Sequence, residues 1–262
     1  MRGNKNDYND ARAIAEAARR PDMRFVTIKT VEQQDIQALH RLREARLGER
    51  TKLSNQIRDF LAEYGIVLPQ GVNVVRKRIP EILKDAENGL SDFFRRLLAR
   101  TYQELQEADA HIDFYTEELN RHSQQDEAVA RLQTVPGFGP IVASVFQSVV
   151  GDAQAFRKGR DVSASLGLVP KQHSTGGKPL LLGISKRGDR HLRSLLVHGA
   201  RAVVKAAAKK DDPLSRWINR IKAKGGFNKA AVAMAHKMAR IGWAILRNNT
   251  VYQPRPAQST GV

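Results

Sequence analysis

Between residues 32 and 64, apolar side chains recur mostly three or four positions apart: Ile36, Leu39, Leu42, Leu47, Leu53, Ile57, Phe60, Leu61 and Tyr64. That period marks one face of an α-helix. Gly65, Pro69 and Gly71 interrupt it. A second stripe starts near Leu90 and continues through Phe94, Leu97, Leu98, Tyr102, Leu105, Ile112, Tyr115 and Leu119. Two long helices with a connector predict an antiparallel hairpin or coiled-coil arm over residues 31–124. The plainer alternative packs both helices inside one globule; an arm would serve dimerisation or grip a nucleic acid. Upstream, residues 7–18 read as a helix with Asp or Asn available to cap it and Pro21 to stop it. Residues 24–28 are short, alternating and β-branched, the signature of a brief strand.

The pattern changes in residues 125–249. A helix runs into Val135-Pro136-Gly137-Phe138-Gly139-Pro140 and a new helix departs. The spacing fits the hairpin of a helix-hairpin-helix element, in which Gly137 and Gly139 let backbone N–H groups face a phosphate. An ordinary Gly/Pro turn between core helices is the competing reading. Beyond the loop at 169–189, a helix carries Leu192, Leu195, Leu196, Gly199, Val203 and Ala206 on its apolar face, with Arg193, Arg201, Lys205 and Lys209 elsewhere. The last helix steps through Phe227, Ala231, Met234, Met238, Ile241 and Ile245, beside a basic stripe of Lys229, His236, Arg240 and Arg247. An apolar inside and a basic outside suit a helical domain laid against a phosphate backbone. Residues 250–262, with Pro254, Pro256 and Gly261, read as a disordered tail. The chain is therefore expected to be mainly α.

Charge sharpens that picture. The 262 residues suffice for a core shared by two domains and a linking element, and the formal charge is +17. From residue 157 to 247 there are 21 Lys and Arg against Asp161, Asp189, Asp211 and Asp212, so that stretch alone carries +17. A concentrated field of this sign points to a polyanion, because phosphate neutralisation releases counterions. There is no cysteine, which excludes disulfides and Cys-based metal sites. No apolar run approaches the roughly 20 residues of a membrane span, and the start has no secretory signal, so a cytoplasmic protein without membrane contact is expected.

Two places carry candidate chemistry. Ser174 sits in Gln172-His173-Ser174-Thr175-Gly176-Gly177-Lys178, with Lys171, Lys186, Arg187, Arg190 and Arg193 nearby in sequence. Attack on a phosphodiester needs a small nucleophile that approaches phosphorus closely and fixed donors for the transition-state charge. His173 is a candidate base. By composition alone the same loop is an exposed turn. Asp7 and Asp10, three apart on a helix, put two carboxylates on one face, where they could share Mg²⁺. Asp near a helix start more commonly caps it or complements its dipole.

Taken together, Lys5-Asn6-Asp7-Tyr8-Asn9-Asp10-Ala11, the long helices, Val135-Pro136-Gly137-Phe138-Gly139-Pro140, Ser174-Thr175-Gly176-Gly177-Lys178 and Gly183-Ile184-Ser185-Lys186-Arg187-Gly188-Asp189 resemble the insertion-sequence-110 family of transposases, relatives of the Piv DNA invertases. The resemblance covers nearly the whole chain. It implies an N-terminal RuvC-like domain with Asp-Glu-Asp-Asp acids, a coiled coil, and a C-terminal transposase domain with an essential serine. Asp7 and Asp10 match the last two acids and Ser174 the serine. The implied activity is Mg²⁺-dependent DNA strand cleavage and exchange with a serine nucleophile. The implied partners are DNA, a structured guide RNA and further copies of the chain as a dimer or tetramer. The nucleic-acid-binding residues expected are Gly137, Gly139, Lys178, Lys186, Arg187, Arg190, Arg193, Arg201 and Lys205. The family's first Asp and its Glu lie upstream of the Asp pair, whereas only six residues precede Asp7. The resemblance therefore implies a RuvC-like remnant over residues 1–30 of an N-terminally truncated transposase, impaired in turnover. The rival class is a non-catalytic helix-hairpin-helix protein that binds DNA or RNA.

Overall fold

The computed structural model describes residues 6–21, 23, 28–173, 175 and 180–254. The described part is mainly helical. α1 (Asp7–Ala18) starts at Asn6, whose side chain accepts the Tyr8 N–H at 3.0 Å, and none of its residues is buried. Most of the strand expected at 24–28 falls outside the described residues; Ile28 itself is exposed and irregular.

α2 (Val31–Glu63) begins with a reciprocal cap. Thr30 Oγ1 accepts the Gln33 N–H at 3.2 Å while Gln33 Oε1 accepts the Thr30 N–H at 3.1 Å. α4 (Asp92–Gln125) starts on Ser91, whose hydroxyl accepts the Phe94 N–H. The two helices run antiparallel, because partners rise along one as they fall along the other. Arg43 Nε donates to Thr116 Oγ1 at 2.8 Å, Arg50 pairs with Asp109 at 3.7 Å, and the Tyr64 and Phe94 rings lie 4.3 Å apart.

The connector is not a plain loop. It folds as α3 (Val72–Lys84), which buries Val75, Ile79 and Ile82 against Leu53, Ile57, Leu61, Leu98 and Leu105. Asp109 ties the three helices, since Arg76 of α3 also forks onto it. Pro80 lies inside α3 and offers no N–H to the carbonyl of Arg76 one turn back. Tyr102 Oη of α4 donates to that carbonyl instead, at 3.2 Å.

Asp126 links the arm to the rest. Its own N–H closes α4 on His122, and its carboxylate caps α5 (Glu127–Gln133) by accepting the Ala128 and Val129 N–H groups at 2.7 and 3.1 Å. α6 (Pro140–Val150), a short 3₁₀ turn (Ala153–Ala155), α7 (Gly159–Ser165), α8 (Arg190–Ala207) and α9 (Pro213–Asn248) enclose a second core around Leu132, Phe146, Leu196, Ile218, Met234 and Met238. The helical pattern expected from residue 227 in fact begins at Pro213, where Asp212 caps the first turn, and bends at Gly226. A two-stranded antiparallel ribbon, β1 (Pro170–Gln172) and β2 (Leu181–Ile184), stands out from this body.

The chain after Asn249 departs from the disordered tail expected. The Tyr252 N–H donates to Thr134 Oγ1 at 2.9 Å and its ring packs on the second core. Residues 255–262 lie outside the described part. Among the described residues, no helix is long and apolar enough to cross a membrane.

Candidate nucleic-acid interface

The ribbon is rooted by close backbone contacts. Ser185 N–H donates to the Val169 carbonyl at 2.8 Å and Lys186 N–H to the Gly167 carbonyl at 3.1 Å. Gly188 takes φ +83°, and a Cβ there would overlap the Ser165 carbonyl oxygen. Only glycine lets this turn press onto the end of α7. Arg193 braces the same root. Its Nη1 donates to the carbonyls of Leu166, Arg187 and Asp189 at 2.9, 3.1 and 3.4 Å. The sequence reads Arg193 as a stripe cation; here it is half-buried and holds the ribbon to α8.

Ser174 and Lys178 lie outside the described residues. The backbone that brackets them is clear. His173 N–H donates to the Leu180 carbonyl at 2.8 Å, and both strands are exposed, as is Thr175. Lys186, Arg187 and Arg190 are exposed at the foot of this ribbon. Arg201 and Lys205 are exposed further along α8, 11 and 15 residues after Arg190 and so close to its helical face. Arg201 also lies over the Phe227 ring, 5.5 Å from its centroid.

These cations stay available because the four acids of the region are occupied. Asp189 caps α8, Asp212 caps α9, Asp161 accepts the Lys158 N–H, and Asp211 pairs with Arg216 at 3.3 Å.

The turn between α5 and α6 separates the two glycines. Gly137 faces inward: a Cβ on it would meet Met238 Cε at 2.8 Å and the Gly199 carbonyl at 3.0 Å. A Cβ on Gly199 would in turn overlap the Gly137 carbonyl oxygen. This pair is a contact between the turn and α8. Gly139 is exposed, with open space around it, at the start of α6, which has no side-chain cap.

Asp7 and Asp10 are both exposed on α1. Among the described residues no group of three or more His, Cys, Asp or Glu side chains could hold a metal ion. Two exposed carboxylates on one helix do not make a fitted Mg²⁺ site, which needs donors beyond them.

Where α2 meets α6 and α8 lies a polar cluster that no sequence motif signals. His40 is 2% exposed, with Nε2 3.1 Å from Ser144 Oγ. Its ring lies 6.0 Å from that of His191, whose Nδ1 is 2.7 Å from Glu44 Oε2. Burial above all, then the nearby His191, Arg43 and His122, pushes the His40 pKa down to about 3. Gln37 adds a hydrogen bond to the Ser148 carbonyl at 2.6 Å.

An exposed ribbon flanked by uncompensated cations on a helical body is the arrangement of a protein that handles nucleic acid. Comparison with known proteins narrows the class. Residues 129–214 match the family described as "Transposase IS116/IS110/IS902 family", and residues 1–66 match a second model described as "Transposase". The chain is 45% identical over 253 residues to a transposase for insertion sequence element IS1111A from Coxiella burnetii, covering 97% of this chain and 70% of that protein. It is 42% identical over 254 residues to the transposase for IS1328 from Yersinia enterocolitica, covering 96% and 75% respectively. A pilin gene-inverting protein from Moraxella lacunata is 25% identical over 238 residues, covering 80% of this chain and 70% of that protein. The chain belongs to the IS116/IS110/IS902 family of insertion-sequence transposases.

Proposed function

We propose that the chain acts in DNA transposition or site-specific recombination, with Ser174 as the nucleophile of strand cleavage. The observation that carries this reading is the exposed ribbon flanking Ser174, rooted beside Lys186, Arg187 and Arg190. In the step proposed, Ser174 Oγ bonds to the phosphorus of a DNA phosphodiester. The bond from phosphorus to one sugar oxygen breaks with its electron pair going to that oxygen, which takes a proton from water and leaves as a hydroxyl. The serine proton passes to a base, for which His173 is the neighbouring candidate. Lys186, Arg187 and Arg190 meet the charge that builds on the phosphoryl oxygens. Arg201 and Lys205 hold the duplex further along α8, and the uncapped start of α6 at Gly139 offers N–H groups to a phosphate. The resemblance adds a homo-oligomer, through a coiled-coil arm, and a structured guide RNA. Magnesium enters this reading only with carboxylates beyond Asp7 and Asp10.

Trapping with a suicide DNA substrate, guide RNA and Mg²⁺ tests the nucleophile. A covalent protein–DNA adduct that disappears in Ser174→Ala and persists in Thr175→Ala is expected. An adduct that survives Ser174→Ala removes the serine from this role. A second reading, DNA binding without turnover, is favoured by the exposure of Asp7 and Asp10 with no third ligand grouped with them among the described residues; it predicts DNA affinity with no adduct under any condition. Binding itself is checked with the triple variant Arg190→Gln, Arg201→Gln, Lys205→Gln. Its slope of log K against log salt on duplex DNA should flatten by about 0.9 for each phosphate no longer neutralised.

A further inference from the structure

Between the start of α7 and α9, on both sides of its bend at Gly226, lies a cleft of about 650 Å³. This is within the range of small-ligand sites, about 300–1,000 Å³. Aromatic and cationic side chains both line it. Trp217 and Trp243 supply aromatic walls, and Lys158, Arg160, Lys237 and Arg240 supply cations; among the described residues no carboxylate lines it. Lys237 Nζ sits 4.2 Å from the centre of the Trp217 ring. Trp243 is fixed by its Nε1–H, which donates to the Ala153 carbonyl at 3.0 Å. Arg160 and Arg240 are exposed at the rim.

His236 lines the same cleft. Burial first, then Arg240 and Arg160, lowers its pKa, so near neutral pH it is an uncharged imidazole with one donor and one acceptor. Aromatic walls, a neutral hydrogen-bonding ring and an all-cationic rim match the three parts of a nucleotide: base face, base edge and phosphate. In a duplex the base faces are stacked and out of reach. A base that has left its stack can enter.

We propose that this cleft binds an unpaired nucleotide of a single strand, with its base against the tryptophans and its phosphates on Arg160, Arg240 and Lys158. The inference rests on the strand-handling function above, since strand exchange exposes unpaired bases. It assigns that step a site separate from the α8 surface and the ribbon.

The chain has two tryptophans, and both line this cleft, so intrinsic fluorescence reports on it directly. The whole chain is titrated with a short single-stranded DNA, the RNA of the same sequence, an abasic version of the strand, and duplex DNA. The base-bearing single strands should quench, whereas abasic strand and duplex should bind without quenching. The strand that quenches at lower concentration identifies the source as DNA or RNA. Combining Arg160→Gln with Arg240→Gln should weaken the quenching interaction about tenfold or more and flatten its salt slope by about 1.4, at about 0.7 per single-strand phosphate. Both side chains are exposed, and unchanged circular dichroism and duplex affinity would show the fold and the α8 surface intact. Equal quenching by the abasic strand, or quenching untouched by the double variant, overturns the proposal. The α8 triple variant separates the two readings: it should lose duplex affinity and keep the quench. Duplex affinity unchanged in that variant would instead count against the α8 surface and leave the cleft standing.

Discussion

The arm and the C-terminal body use charge in opposite ways. Residues 31–125 hold 14 Lys and Arg among 16 Asp and Glu, so the region is close to neutral, and several of these charges pair. Arg46 meets Glu49, Arg76 and Arg50 share Asp109, Arg100 meets Glu104, and Arg121 meets Glu118. In residues 157–247 the four acids cap helices or pair locally, and Lys186, Arg190 and Lys205 face solvent with no carboxylate partner among the described residues. The arm's charges nearly cancel in sum. The body's surface is left open for phosphate, at a cost in self-repulsion that its apolar core must offset. The lesson is that net charge alone separates two helical regions whose folds rest on the same apolar periodicity.

The largest effect is expected within the arm. Leu105 is fully buried, whereas Leu97 is 49% exposed. Leu105→Lys should cost about 4 kcal/mol or more in urea unfolding, as a charge enters the seam without a partner. Leu97→Lys should change stability by about 0.5 kcal/mol or less. Equal losses in the two variants would show that both leucines are covered, the second by another molecule.

In the body, Gly199→Ala should cost about 1–3 kcal/mol, because its methyl would overlap the Gly137 carbonyl oxygen. Chemical denaturation would read this; a neutral result would mean that the α5–α6 turn moves freely away from α8.

The junction between the two regions should respond to acid. Folded His40 titrates near 3 against an ordinary value of 6.5. Between those values the unfolded chain takes up a proton that the folded chain refuses. Stability from this group is therefore complete above about pH 6.5 and falls as the pH drops toward 3, by up to about 1.4 kcal/mol per pH unit. Subtracting the unfolding free energies of His40→Asn from those of the parent across this range isolates the slope. A flat difference would place the imidazole in water.

The smallest effect belongs to the arm's surface. Arg100 and Glu104 stand 3.3 Å apart with side chains 63% and 44% exposed. Arg100→Gln should shift stability by less than about 0.5 kcal/mol, and raised salt should erase even that. A loss of several kcal/mol would mean that this surface is covered rather than solvated.

Much of this was legible in order and period. The two arm helices were visible because their apolar stripes persist over many turns, and their observed ends at 31–63 and 92–125 lie within a few residues of the pattern. α3 was hidden because Gly65, Pro69 and Gly71 read as punctuation, although Val75, Ile79 and Ile82 step by four and three. Leu97 and Leu98 are neighbours, and a helix cannot point both at one seam; periodicity names the stripe, and only the partner helix chooses Leu98. Arg193 shows the same limit for charge. Composition counts a cation, but three carbonyls at the ribbon root claim its guanidinium. The cleft was unreadable for a different reason. Lys158, Trp217 and Arg240 come from three separate stretches that only the folded chain brings together.

Asp126 ends one helix and begins the next with the same residue, so the arm meets the body without slack. α4 has 34 residues, about 51 Å at 1.5 Å each. A load on the far end acts at that distance and has no linker in which to dissipate. Next to α5 stands the turn wedged against α8, whose first residues border the ribbon. Mechanically the arm is clamped to the body twice, at Asp126 and where His40 and Glu44 of α2 meet Ser144 of α6 and His191 of α8, so a load on its tip is shared between two anchors.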